Sequence, residues 1–309
     1  MIDEESNVSG IVVGAIANYL LVEINTSCLK SRLNNKENTR FLCTKRNRLL
    51  YHGKQVYVGD HVTLEALNPD KNTAVVSALS PRKSFLNRPP IANITQVFVV
   101  LSILEPTFDF DQANRFLITA EKTCVKVNLI LTKRDLISDD DLLEKEMRLR
   151  EWGYRTHSIS LFTGEGLDSL LDELKKVELA VLCGPSGVGK SSLLNHFMPE
   201  ICLPVAAVSR KLKRGRHTTR NVQLYSLRSG SYIADTPGFN RPDLDVLPKD
   251  LALLFPEIRS RLIDRKCKFR DCLHRDEPGC VVGKDWERYT KYRALLQEII
   301  HSDRQVQGA

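Results

Sequence analysis

Residues Gly184-Pro185-Ser186-Gly187-Val188-Gly189-Lys190-Ser191 fit the pattern G-x-x-x-x-G-K-[ST], and about fifty residues before them stands Thr132-Lys133-Arg134-Asp135. The first stretch is a phosphate loop, which by itself says only that a nucleoside triphosphate is held. The second has the form of a guanine-recognition element. Together they predict GTP. The guanine element lies upstream of the phosphate loop instead of downstream, and this order restricts the possible folds more than any other feature of the chain.

The context of each motif supports the reading. The apolar run Leu179 to Cys183 precedes the phosphate loop, and the helical stretch Ser192 to Phe197 follows it, so the loop joins a strand to a helix as such loops require. Backbone N–H groups from Gly184 to Ser192, those of every residue but Pro185, with Gly187 and Gly189 permitting close approach, would wrap the phosphates. Lys190 would meet the β- and γ-phosphates, and the Ser191 hydroxyl would bind Mg²⁺. Thr132 to Asp135 ends the apolar strand Val125 to Leu131, the end at which α/β sheets bind ligands. A carboxylate at Asp135 accepts from the ring N–H and exocyclic amine of guanine, an arrangement adenine does not offer, and the stem of Lys133 can lie over the base. Read alone, the same four residues also fit a helix N-cap at Asp135.

Further along, Asp235-Thr236-Pro237-Gly238 follows the strand Tyr232 to Ala234. Asp235 suits a Mg²⁺ contact, direct or through water, and the Gly238 N–H suits the γ-phosphate. Between these motifs lies Gly215-Arg216-His217-Thr218-Thr219-Arg220, where Thr218 and Thr219 both qualify to complete the Mg²⁺ shell. Where many GTPases orient water with a glutamine after D-x-x-G, this chain has Phe239. His217 is the nearest substitute.

The first eighty or so residues read as short strands: 8–17, 19–24, 41–44, 49–51, 55–58 and 61–67, separated by turn signals. That spacing suggests a small barrel. Pro81 to Ala92, with three prolines, reads as a linker. From Ile94 the rhythm becomes βα, with buried strands at 97–101 and 125–131 and helices at 111–122, 139–152 and 167–176, as in a doubly wound domain. After about residue 245 the chain is helical, cysteine-bearing and basic. The final helix, near 285–301, places Trp286, Tyr289, Leu296 and Ile300 on one core-packing face.

Cys267-x4-Cys272-x-His274-x5-Cys280 supplies three thiolates and one imidazole, a donor set suited to one tetrahedral structural Zn²⁺. Free buried cysteines are the alternative. The other cysteines, Cys28, Cys43, Cys124, Cys183 and Cys202, are scattered, which favours a reducing compartment over a disulfide framework. No apolar stretch is long enough to span a membrane. The acidic, polar start Met1-Ile2-Asp3-Glu4-Glu5-Ser6 does not read as a signal peptide. The formal net charge is +7, and basic residues cluster in three zones: 30–48, 210–220 and 259–275. Each suits a polyanion and each is also compatible with a merely solvated face.

The order TKRD, then Ser158-Ile159-Ser160 with Thr163-Gly164-Glu165-Gly166, then phosphate loop, then GRHTT, then DTPG, with a barrel before and a cysteine cluster after, closely resembles the circularly permuted GTPases of small ribosomal subunit biogenesis. Thr132 stands where asparagine is the more frequent residue in that family, which removes one amide. The resemblance makes Ser158 and Ser160 part of a base-binding loop and points to His217 as the catalytic residue. It implies a multidomain chain: an OB-type, RNA-binding β-barrel over 1–80, a linker over 81–93, a circularly permuted α/β P-loop GTPase domain over 94–245, and a helical zinc-binding module over 246–309. It also implies a cytoplasmic, monomeric, ribosome-stimulated GTPase that binds the small (30S) subunit and its 16S rRNA, assists late maturation and leaves on hydrolysis, with no membrane partner. A nucleotide-gated rRNA-binding adaptor, in which hydrolysis is incidental, is the alternative.

Overall fold

The computed structural model describes residues 8–16, 18–24, 39–46, 49, 55–87, 89–201, 222–227, 231–235, 242 and 244–307. Strands β1 (Val8–Ile16), β2 (Tyr19–Ile24), β3 (Arg40–Lys45), β4 (His61–Asn68) and β5 (Thr73–Leu79) close into a barrel in the order β1-β2-β3-β5-β4. Burial alternates along β2 and β4, as a half-buried strand requires. The inward residues, among them Val12, Val22, Phe41, Leu64 and Val76, form the barrel core. All pairs are antiparallel except β3 with β5, which run parallel.

Two sequence expectations need correction here. Gln55 to Val58 is not a strand; its ladder contact is the single bridge from Val58 to Ile91. The fifth barrel strand is instead Thr73–Leu79, which the turn at Asn68-Pro69-Asp70 introduces. Residues 50 and 51 of the expected strand 49–51 lie outside the described residues. The proline-bearing stretch read as a linker carries a short hairpin of β6 (Phe85–Asn87) and β7 (Pro90–Ala92). It is fastened by Arg82, whose guanidinium donates to both oxygens of the fully buried Asp60 at 2.7 and 2.9 Å and lies over the rings of Tyr57 and Phe85.

A second sheet takes the order β10-β9-β8-β11-β13-β12. Its members are β8 (Gln96–Ser102), β9 (Lys126–Thr132), β10 (Arg155–Ile159), β11 (Leu179–Cys183), β12 (Gln223–Ser226) and β13 (Tyr232–Asp235). β8 and β11 are buried at every position, which is why they read as unbroken apolar runs. Strands earlier than β11 in the chain lie to one side of it and later strands to the other.

The helices are α1 (Phe110–Glu121), capped by Asp109, α2 (Asp139–Glu151), capped by Ser138, α3 (Leu167–Lys175), α4 (Lys190–Phe197), α5 (Pro248–Leu251), α6 (Pro256–Leu262) and α7 (Tyr289–Gln307). Proline begins α5 and α6, where its missing N–H costs nothing. The last helix starts at Tyr289, later than the sequence pattern suggests. Gly283, at φ +71°, and the turn closed by the Tyr289 N–H to the Trp286 carbonyl delay it.

The chain divides into two compact units, one of Met1–Val97, Leu171–Leu182 and Lys190–Asn240, the other of Phe98–Leu170, Cys183–Gly189 and Arg241–Ala309. In the first, the Tyr232 hydroxyl of β13 donates to Glu23 of the barrel at 3.0 Å, and Arg40 donates to the same carboxylate at 2.8 Å. The second contains both tryptophans, Trp152 and Trp286. Its core joins Ile118 of α1 to Phe255, Ile258, Tyr292 and Leu296. At its centre Arg288 is fully buried. It makes a fork to the carboxylate of Glu257, donates to Asn114 at 3.1 Å, and stacks on Trp152 and Phe255.

Candidate functional site

The phosphate loop leaves β11 at Gly184, whose φ of +141° and position against the Val100 carbonyl leave no room for a side chain. Gly187 and Gly189 have φ of +86° and +99°, and where a Cβ would stand there is open space. These two residues therefore turn the backbone without filling the hollow it surrounds. Pro185 and Val188 are buried while Ser186 is exposed. α4 begins at Lys190, which is buried, with Ser191 and Ser192 half-buried in its first turn. The helix start adds a partial positive charge, which favours phosphate.

β9 delivers the candidate guanine element. Thr132, at its end, is buried, and its hydroxyl donates to the Val188 carbonyl of the phosphate loop at 2.7 Å, with the Leu101 carbonyl 3.3 Å away. The hydroxyl thus ties the two motifs together directly, although the residue lacks an amide. Lys133 takes the left-handed conformation, φ 61° and ψ 40°, and its ammonium donates to the Glu105 carbonyl. Asp135 lies in the single 3-10 turn Arg134–Leu136 and is exposed. It caps no helix, because Ser138 caps α2 by accepting from the Asp141 N–H at 3.2 Å. The carboxylate is left open to a ligand.

The loop after β10 is held by its serines. Ser158 donates its hydroxyl to Glu146 of α2. Ser160, fully buried, accepts from the N–H groups of Phe162 and Thr163 at 3.1 Å, and its own N–H donates to the Glu165 carbonyl at 3.0 Å. Both hydroxyls shape the loop, whose residues 162–166 are exposed. Arg134 reaches across to it, with Nε 3.1 Å from a Glu165 carboxylate oxygen. Sequence reading missed this pairing, since the partners lie on separate loops with no shared motif.

His217, Thr218, Thr219 and Gly238 lie outside the described residues, as does the side chain of Asp235, whose backbone ends β13.

In the second unit, Cys267, Cys272, His274 and Cys280 place their ligand atoms within 4.8 Å of one another, a set that can hold one metal ion. The His274 Nδ1 lies 3.6, 3.6 and 3.5 Å from the three sulfurs, and Cys267 and Cys280 are 4.0 Å apart. A tetrahedron with metal–sulfur bonds of ~2.3 Å and metal–nitrogen bonds of ~2.0 Å has S···N edges of about 3.5 Å and S···S edges of about 3.8 Å. The residues therefore fit four-coordinate binding with no open position. Burial pushes the Cys272 thiol up to about 12 and lowers His274; a cation at the centre would favour the thiolate instead. Glu277 accepts from the N–H groups of Leu273 and Arg275 at 3.2 and 2.7 Å. Tyr289 and Tyr292 donate from α7 to the carbonyls of Arg275 and Leu273 at 2.7 and 2.6 Å. The ligand loop is thereby fastened from outside.

A phosphate loop on a central strand, with the guanine element bonded to it from a strand that comes earlier in the chain, defines a circularly permuted P-loop GTPase. Residues 79–245 match the family described as RsgA GTPase. The chain is 52% identical over 310 residues to a protein of Prochlorococcus marinus (strain MIT 9303) named "Small ribosomal subunit biogenesis GTPase RsgA", covering 99% of this chain and 97% of the relative. A relative of the same name from Synechococcus sp. (strain CC9311) is 50% identical over 302 residues, covering 97% of each chain. The crystal structure of YjeQ from Thermotoga maritima superposes with a TM-score of 0.77 at 29% identity, over 95% of this chain and 99% of that one. YloQ, described as a circularly permuted GTPase, gives 0.76 at 28% identity over 98% of each chain. The chain belongs to the RsgA GTPase family and is a GTP hydrolase.

Proposed function

We propose that this GTPase binds the small ribosomal subunit through its 16S rRNA, assists a late step of its maturation, and leaves when GTP is hydrolysed. The observation that carries this reading is the end-to-end likeness, at about half identity, to relatives named for small ribosomal subunit biogenesis. The basic zones on the barrel, around the switch motifs and around the cysteine module are of the charge that an RNA backbone requires. The protein acts in the cytoplasm as a monomer.

In the proposed site, the backbone N–H groups of Gly184 and of Ser186 to Ser192 and the Lys190 ammonium hold the phosphates, with Pro185 shaping the turn, and the Gly238 N–H meets the γ-phosphate. Asp135 accepts from guanine, the Lys133 stem covers the base, and Thr132, Arg134, Ser158 and Ser160 shape its surroundings. Ser191, Asp235 and one of Thr218 and Thr219 hold Mg²⁺, which when bound offsets charge on the β- and γ-phosphates. His217 positions the attacking water. Cys267, Cys272, His274 and Cys280 hold a structural zinc, whose role is to fold the loop.

GTP turnover with and without purified small subunits tests the reading. Stimulation, with GDP weakening subunit binding relative to a non-hydrolysable GTP analogue, is expected; unchanged turnover and no co-sedimentation would overturn it. His217→Ala is expected to lower subunit-stimulated turnover while GDP affinity stays within about twofold of wild type, measured by titration.

A further inference from the structure

We propose that the Arg134–Glu165 ion pair positions the two guanine-reading segments against each other and so sets guanine-nucleotide affinity. This rests on reading residues 132–135 and 158–166 as the base site. Base recognition needs the Asp135 carboxylate and the Ser160 loop in fixed register, yet these segments follow different strands, β9 and β10. The loop's own bonds close it internally: Ser160 N–H to the Glu165 carbonyl, Gly164 N–H to the Ser160 carbonyl at 3.0 Å, and the Ser160 hydroxyl to two N–H groups. The parallel ladder of β9 and β10 ends with Thr132 opposite Ile159, and none of these loop bonds reaches across to residues 133–135 beyond it.

Arg134 supplies that link. It stands between Lys133 and Asp135 in a single 3-10 turn, and its Nε lies 3.1 Å from Glu165, the residue whose carbonyl receives the Ser160 N–H. The guanidinium is held on its other side by Asp139, 3.2 Å from Nη2 at the start of α2. The Arg134 side chain is 25% exposed, against 53% for Glu165 and 92% for Asp139. The planar fork thus sits low in the surface with one ligand on the base loop and one on the helix. A lysine, a point charge on a flexible stem, would not bridge both in one geometry. Arg134 and Glu165 are positioning residues: they act on the base through the segments that carry them.

Titration with GDP of Arg134→Ala, Glu165→Ala, the double variant and the charge swap Arg134→Glu/Glu165→Arg tests this. A partly exposed ion pair predicts that each single change weakens GDP about two- to fivefold. The double variant should be no weaker than the worse single one, the swap should recover at least half the loss, and high salt should shrink every difference. The melting temperature without nucleotide should stay at the wild-type value. Additive losses would overturn the proposal, as would a loss confined to Arg134→Ala, which would mean that Arg134 touches the nucleotide itself, or unchanged affinity in both single variants. Asp135→Ala separates this outcome from failure of the base-site reading: if that variant kept the wild-type preference for GDP over ADP, the guanine site itself would be misplaced.

Discussion

Thr132 shows how one hydroxyl can stand in for a larger group. Its bond to Val188 spans two loops that together enclose the candidate nucleotide site, and the residue is 2% exposed. Thr132→Val keeps the shape and strands the Val188 carbonyl in a dry setting. That is expected to cost about 1–3 kcal/mol of stability, read by chemical denaturation, with weaker GDP binding in parallel. Thr132→Ser should retain most of both. Equal stability of all three proteins would show that the hydroxyl bond has no net worth. The family's more common asparagine would not have revealed this role, because the sequence records a missing amide and says nothing about the carbonyl within reach of the remaining oxygen.

Among the elements, those written in contiguous residues were legible and those made by distant partners were not. The apolar runs of β8 and β11 declare buried parallel strands, and the helices expected at 111–122 and 139–152 are found at Phe110–Glu121 and Asp139–Glu151. β5, Thr73–Leu79, was missed; its parallel partner, β3, lies about thirty residues earlier. The hairpin at 85–92 was masked by its prolines, and its anchor is the Asp60–Arg82 pair, joined across twenty-two residues. The phosphate loop and the cysteine spacing are local patterns. The Arg134–Glu165 bridge and the Arg288 cluster depend on which loops and helices meet.

Arg288 makes the point in energetic terms. It joins Glu257 of α6 to Asn114 of α1 with no exposed surface. Arg288→Met leaves the 10%-exposed Glu257 carboxylate without its partner, at an expected cost of about 3–5 kcal/mol. Arg288→Met with Glu257→Leu should recover most of that, since the buried charge goes too. Denaturant midpoints of the three proteins decide it; a double variant as weak as the single would place the effect in packing on Trp152 and Phe255 instead. At the metal centre, elemental analysis is expected to find one zinc per chain and none in Cys280→Ser. A chelator should release the same ion and expose Cys267 and Cys272 to a thiol reagent, which unchanged labelling would contradict.

Across the molecule, the compact units do not follow the run of the chain. Each is assembled from three separate stretches, and the phosphate loop contributes residues to both. No helix among the described residues is long and apolar enough to cross a membrane. The two tryptophans fall in the same unit, Trp152 stacked on Arg288 and Trp286 edge-on to Phe255. This gives the protein a built-in optical asymmetry. Tryptophan emission reports the surroundings of Arg288 and Phe255 in that unit, while the barrel, which has none, is dark in that channel. Melting followed by emission and by far-ultraviolet circular dichroism should coincide if the units unfold together. It should separate if the barrel melts alone, so an unmodified sample can report whether the two halves share one transition.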